Sequence, residues 1–261
     1  MMARQARQES STGYYHVMLR GINREAIYAS DSAKKYFMEL VKQQQDNDLW
    51  HLAAWCVMSN HVHLVVKSEK VAMAKAVKVI CLKFAAHYNR AQDRIGPVFG
   101  GRFRSENIET DAYLLGVLRY IHRNPLKAKM VQDIAQYRWS SYGEYHDEVK
   151  YLDKEQKSFV LSLFNNSLPR FAEFHAAHDE QEEYLETRED AKQYKDEWAI
   201  KIIESFCTEK GILVGKQIIS NPELFEEISR RLTQQAGLSL REAAKVLEVT
   251  HNMVYRALQD E

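Results

Sequence analysis

Two β-patterned runs, "WHLAAWCVMS" and "HVHLVVK", meet at Ser59-Asn60 with only that polar pair between their apolar stretches. Runs this rich in Val, Trp and Leu, joined by so short a break, fold back on each other as an antiparallel pair. The flanking segments fix how that pair is used. In "GYYHVMLRG", Tyr15, Val17 and Leu19 alternate with Tyr14, His16 and Met18, a period of two that predicts a strand ending at Gly21. Residues 31–46, "DSAKKYFMELVKQQQD", place apolar side chains at Tyr36, Phe37, Leu40 and Val41 behind Asp31 as N-cap, which predicts a helix. A second long helical pattern, "VAMAKAVKVICLKFAAHYNRAQ", covers 71–92. Strand, helix, strand, strand, helix is the order of an α+β domain with a mostly antiparallel sheet covered by helices.

Residues 93–110 contain the basic, glycine-rich stretch "RIGPVFGGRFRS", read as a loop with room for a short strand. "TDAYLLGVLRYIHRNP" then predicts a helix capped by Thr110 or Asp111 and stopped by Pro125, because the residue before a proline disfavours the α region. Beyond residue 150 the composition shifts. Residues 1–150 hold 22 Lys+Arg against 15 Asp+Glu, residues 151–221 hold 9 against 14, and residues 222–261 hold 5 against 7. The formal net charge of zero therefore hides a basic first part, the polarity that suits a polyanionic partner.

Three segments follow from these shifts: an α+β domain over 1–150, an acidic helical spacer over 151–221, and a terminal segment over 222–261. In the last, helical periodicity breaks at Gly237 and near Val249-Thr250, Ser239 can cap "LREAAKVLEV", and "THNMVYRAL" forms a third helix. This is the layout of a DNA-binding helix-turn-helix, with Ala243-Ala244 letting the recognition helix approach closely. A helical hairpin that only packs or dimerises is the other reading. No apolar run approaches the roughly 18 residues of a membrane span, and "MMARQARQESSTG" lacks the apolar stretch of a secretory signal, so a cytoplasmic location and no membrane partner are expected. Cys56, Cys81 and Cys207 are far apart and form no C-x-x-C pair, which predicts reduced core residues.

Alternation along a strand puts His61 and His63 on one side of "HVHLVV", opposite Val62 and Leu64. Two adjacent imidazoles are either a hydrogen-bonded structural pair or two ligands of a metal site. In "YLLGVLRYIHRNP", Tyr120 and Asn124 are four residues apart and share a helix face, with Leu114, Leu118 and Ile121 forming the neighbouring apolar stripe. Tyr120 is then an aromatic at the stripe's edge and Asn124 a cap, or they are an ordered phenol beside a neutral oxygen ligand. Arg102 and Arg104 in the glycine loop, with Arg119, Arg123 and Lys127 near the tyrosine, are either solvated charges or candidate phosphate contacts, DNA-binding residues if the partner is a nucleic acid. Tyr14, Phe99 and Phe103 suit either base stacking or the core.

Taken together, "YYHVMLRGINREAIYASD", "WCVMSNHVHLVV", "GRFRSENIETDAYLLGVLRYIHRNPLKAKMV" and "YRWSSYGEY" resemble the successive motifs of the single-tyrosine transposases of the HUH nuclease superfamily, in particular the REP-associated tyrosine transposase branch. The resemblance covers about residues 13–146. It implies a ferredoxin-like catalytic domain of HUH nuclease type, a divalent metal such as Mg²⁺, and cleavage of single-stranded DNA near a hairpin through a 5′-phosphotyrosine. By position, His61 and His63 match the family's metal-binding pair, Tyr120 its nucleophile, and Asn124 a third polar ligand. Paired imidazoles fit Mn²⁺ as well. The implied partners are single-stranded and hairpin DNA, with duplex DNA added through the helix-turn-helix, and the protein working as a monomer or homodimer. The alternative is a helix-turn-helix transcriptional regulator carrying an inactive HUH-like domain; replication initiators and conjugative relaxases of the superfamily have differently ordered chains.

Overall fold

A computed structural model describes residues 8–177, 199–200, 202–212 and 216–259 of the 261. The polypeptide forms two compact units, Met1–Leu185 and Glu186–Glu261. The first contains β1 (Tyr14–Arg20), α1 (Asp31–Asp46), β2 (His51–Val57), β3 (His61–Lys67), α2 (Lys70–Ala91), β4 (Arg104–Ile108) and α3 (Asp111–Lys127). The strands lie in the order β2-β3-β1-β4, every neighbouring pair antiparallel. A βαββαβ chain with its first and third strands central is the ferredoxin-like arrangement, so the α+β expectation holds. The glycine loop's short strand proves to be β4, which adds to the free edge of β1.

Both sheet faces are covered, since Val17, Leu19, Val62 and Leu64 on one face are as buried as His16, Met18 and His63 on the other. Double burial explains why these strands read as nearly continuous apolar runs. Phe37 of α1 meets Phe84 of α2 edge to face at 5.6 Å, closing one layer. The α1 cap differs from expectation: Ser30, not Asp31, accepts the Ala33 N–H at 3.2 Å. Asp31 becomes the first helical residue, where its charge faces the positive helix end.

Thr110 caps α3 by accepting the Tyr113 N–H at 3.1 Å, but the helix does not stop at Pro125. It continues to Lys127, and the Ala128 N–H still reaches the Asn124 carbonyl at 2.9 Å. A proline in the last turn forfeits one N–H bond only, and burial of Ile121 and Pro125 against the domain offsets that loss.

The polypeptide that packs on the sheet runs past residue 150. After α4 (Tyr142–His146) come α5 (Lys154–Ser162) and α6 (Leu168–Ala176). The Asp153 N–H donates to the Leu52 carbonyl of β2 at 2.9 Å, and the Tyr14 hydroxyl of β1 donates to Gln156. Tyr14 is thereby a core residue and not a surface for stacking bases. The acidic stretch 178–198 of the expected spacer lies outside the described residues.

Glu144 makes this extension possible. One carboxylate oxygen accepts the N–H groups of Lys150, Tyr151 and Leu152 at 2.7, 2.8 and 3.0 Å, and the other accepts the Trp55 indole N–H at 3.1 Å. Removing a buried acceptor strands all four donors. Glu144→Ala is expected to destabilise the first unit by about 3 kcal/mol, read as a shift in urea midpoint; a change below about 0.5 kcal/mol would contradict the pinning role.

The second unit has helical residues 202–210 followed by α7 (Lys216–Ser220), α8 (Pro222–Gln235), α9 (Leu240–Val246) and α10 (His251–Ala257). Its core is built from Phe206, Ile228, Leu232, Ala243 and Val254, among others. Ser239 caps α9 reciprocally: its hydroxyl accepts the Glu242 N–H at 3.3 Å, and the Glu242 carboxylate accepts the Ser239 N–H at 2.9 Å. Among the described residues no helix is long and apolar enough to cross a membrane. All three cysteines are free thiols; Cys56 is buried as expected, whereas Cys81 and Cys207 are only half-buried.

Candidate active site

Cross-strand register assembles the site. Cys56, His63, Met18 and Arg104 lie in one row across β2, β3, β1 and β4, and Arg20 pairs with His61 in the next. Residues directly opposite in a sheet share a face, so His61, His63, Arg20 and Arg104 all project to one side. At the end of β1, Gly21 donates its N–H to the Asn60 carbonyl at 2.9 Å. A Cβ on Gly21 would lie 2.3 Å from the Glu25 carbonyl oxygen, so only glycine lets the 21–25 turn close this tightly at the end of β1.

Each histidine of the pair is held through Nδ1. That of His61 lies 2.6 Å from Asn60 Oδ1, and that of His63 lies 2.9 Å from Nε2 of His16 on β1. A carboxamide oxygen only accepts, so His61 donates from Nδ1 and its lone pair is on Nε2. Burial lowers the His16 pKa to about 3 and pulls His63 well below the ordinary imidazole value, so both rings are neutral at neutral pH.

α3 lays Tyr120 over the same face. The Tyr120 ring stands perpendicular to that of His63 with centroids 5.6 Å apart, and it lies 6.3 Å from that of His16. Asn124, one turn on, is 1% exposed, and neither atom of its carboxamide has a hydrogen-bond partner among the described residues. Nε2 of His63 is likewise buried without one. Polar atoms left this way in a packed interior are costly unless a ligand completes them. Two imidazole nitrogens and an amide oxygen are a donor set that suits a hard or borderline divalent cation. Among the described residues no three His, Cys, Asp or Glu side chains cluster as metal ligands, so the set depends on the asparagine.

The basic residues separate into two groups. Arg102 and Arg104 are exposed, Arg104 on the row of His63, and the Lys127 ammonium lies over the Tyr120 ring at 4.7 Å from its centroid. Arg119 and Arg123 turn instead toward α6. The Arg119 guanidinium stacks on Phe174 at 4.4 Å, and Arg123 donates to the carbonyls of His175, Ala176 and Ala177 at 2.7, 3.2 and 3.3 Å, closing the C-terminus of α6.

A buried relay fastens α3 further. His175 Nδ1 donates to the Phe171 carbonyl at 2.8 Å, leaving Nε2 to accept from His122 Nδ1 at 2.9 Å. His122 Nε2 then accepts from the Ser141 hydroxyl at 2.7 Å, whose oxygen takes the Trp55 N–H at 2.9 Å. Every donor finds one acceptor, which fixes both tautomers. Burial lowers the His175 pKa to about 4. Below pH 6.5 the unfolded chain takes up a proton that the folded chain refuses until about pH 4, so this stability is complete above 6.5 and is lost on the way down. The parent is expected to lose about 3 kcal/mol more than His175→Phe between pH 7 and pH 4 in paired urea titrations. Equal losses would show that His175 does not set this acid sensitivity.

Sequence reasoning missed His16 and Arg20, although the alternation of β1 placed both on the face of Met18. The Arg20 charge contributes to lowering His63. A cleft of about 590 Å³ lies elsewhere, lined by Trp55, Tyr137, Trp139 and Tyr151, and contains none of the expected site residues.

Residues 9–124 match the family described as "Transposase IS200 like". Among solved structures, that of a REP-associated tyrosine transposase bound to a REP hairpin is similar over 56% of this chain and 86% of its own, at 16% identity and a TM-score of 0.45. No curated protein matches the chain significantly.

Proposed function

We propose that this chain, of IS200-like transposase type over residues 9–124, cuts and rejoins single-stranded DNA at or near hairpins with Tyr120 as nucleophile. The observation that carries the reading is the meeting of Tyr120 with His63 at 5.6 Å, two residues that lie more than fifty positions apart in the sequence. The Tyr120 oxygen would attack the scissile phosphorus, forming a 5′-phosphotyrosine as the bond to the 3′ oxygen breaks. The phenol proton leaves as the nucleophile attacks, and the departing strand keeps a 3′ hydroxyl after gaining one. That hydroxyl can reverse the step on the same or another strand, so rejoining needs no external energy source.

Mg²⁺ or Mn²⁺ would be held by His61, His63 and Asn124, and when bound would offset charge on the non-bridging phosphate oxygens. Arg20, Arg102 and Arg104, on the same face and its adjoining loop, would hold the strand, with Lys127 beside the nucleophile. Tyr120 is fully buried, so a strand reaches it only when α3 parts from the sheet locally. Such gating makes opening a step of the cycle.

The test mixes the full chain with labelled hairpin-bearing single strands and Mg²⁺ and resolves the products on a denaturing gel. A covalent protein-DNA species supports the reading. The second reading, a regulator with an inactive HUH-like domain, draws on α10, which exposes His251, Asn252, Tyr255 and Arg256 to solvent, as a helix-turn-helix reading duplex DNA would. Absence of adduct across sequences and metals, with sequence-specific shifts of duplex DNA, would favour it.

A further inference from the structure

We infer that His16 is a positioning residue for the metal site, accepting the Nδ1–H of His63 and so directing the His63 Nε2 lone pair toward the cation. The inference rests on the metal reading above and assigns a role to a residue outside the expected ligand set.

The register makes the pairing possible. His16 on β1 lies opposite Val65, and His63 on β3 lies opposite Met18, so the two histidines are diagonal neighbours on one face. Their nitrogens are 2.9 Å apart, with ring centroids at 5.0 Å and a tilt of 31°. Both residues are fully buried, and neither His16 Nδ1 nor His63 Nε2 has a hydrogen-bond partner among the described residues. At that distance the two facing nitrogens share a single hydrogen, which leaves two arrangements. In the first, His63 donates from Nδ1 to His16 Nε2, and the lone pair of His63 sits on the unpartnered Nε2. In the second, His16 donates from Nε2, His63 is protonated at Nε2, and that atom cannot bind a cation.

A cation therefore selects the first arrangement, and His16 is the group that accepts the hydrogen bond it requires. Asn60 performs the same service for His61, with its carboxamide oxygen on Nδ1 at 2.6 Å. The two ligands are thus oriented by different means, one by a side chain next in sequence and one by a neighbouring strand. Metal-bound imidazoles are ordinarily fixed by an acceptor at the far nitrogen, and removal of that acceptor typically costs 10–100-fold in affinity.

The experiment titrates Mn²⁺ into the metal-free full chain by calorimetry for the parent, His16→Phe, His16→Gln and His63→Ala. Phenylalanine keeps the ring volume and removes the acceptor, whereas glutamine supplies an oxygen that only accepts toward N–H. His16→Phe is expected to weaken Mn²⁺ binding about 10–100-fold, His16→Gln to recover much of that loss, and His63→Ala to weaken binding at least as far as His16→Phe. Two-bond proton–nitrogen spectra of the Mg²⁺-loaded parent are expected to show His63 protonated at Nδ1, a readout that unfolding of a variant cannot mimic. Unchanged Mn²⁺ affinity in a folded His16→Phe, or a His63 proton on Nε2 in the loaded parent, would overturn the role of His16 alone. A parent that binds no Mn²⁺, with His63→Ala indistinguishable from it, would overturn the metal reading and this inference with it.

Discussion

Tyr120→Phe is expected to abolish the covalent protein-DNA species and to lower strand cleavage by at least ~10³-fold, equivalent to about 4 kcal/mol of transition-state stabilisation. The substitution removes one oxygen and keeps the ring that packs on His63 and lies beneath the Lys127 ammonium. Volume is nearly conserved, so the core around α3 stays filled and the loss reads as chemistry. The comparison with Tyr113→Phe is informative, because Tyr113 shares the α3 face two turns earlier and carries the same hydroxyl. A transferase that used Tyr113 in its place would lose the adduct with Tyr113→Phe and keep it with Tyr120→Phe. Retention of the adduct in Tyr120→Phe would remove the proposed nucleophile outright, and peptide mapping of that adduct would identify the residue that replaces it.

How far the amino-acid sequence announces this arrangement depends on whether a signal is local. The strands of the hairpin, the first long helices and the Ser239 cap follow from periodicity and cap chemistry within a few residues, and they are where the pattern put them. The same locality misplaced one cap and one stop. Ser30 outcompetes Asp31 because its hydroxyl reaches the Ala33 N–H, a choice between neighbours that the pattern cannot weigh. Pro125 stays helical because tertiary burial outweighs one missing hydrogen bond. The site divides in the same way. Alternation alone put His61 and His63 together, and helical spacing put Tyr120 with Asn124, but the meeting of Tyr120 with His63 is a matter of which helix covers which face. That information resides in the topology, and only the resemblance to a known family anticipated it. Arg119 and Arg123 show the reverse case: as charges near a tyrosine they look like phosphate contacts, yet Phe174 and the last carbonyls of α6 engage them. Their partners come from a segment some fifty residues downstream whose packing no short-range pattern encodes. His16 stood in plain view in β1 and gained significance only once the register with β3 was known.

On the proposed reading, the histidine pair would serve cleavage and not strand binding. His61→Ala and His63→Ala are each expected to reduce cleavage by about 10²–10³-fold, while single-strand affinity stays within about threefold because phosphate contacts carry most of it. The physical ground is that, on this reading, charged side chains such as Arg102, Arg104 and Lys127 would attract the backbone whether or not a cation is present, whereas charge developing on the scissile phosphate would be met only at the site itself. Chelation of divalent ions should therefore reproduce the variants in the parent protein and have little further effect on them. A purely structural histidine pair predicts otherwise: both substitutions would lower thermal stability by opening a cavity under Tyr120, the folded fraction would cleave at the parental rate, and chelation would leave the parent unaffected. Gel-based cleavage rates, normalised to folded protein and measured with and without chelator, distinguish the two accounts in one series. Cleavage that survives both histidine substitutions and chelation would leave Tyr120 to act without a cation and would return the pair to the core.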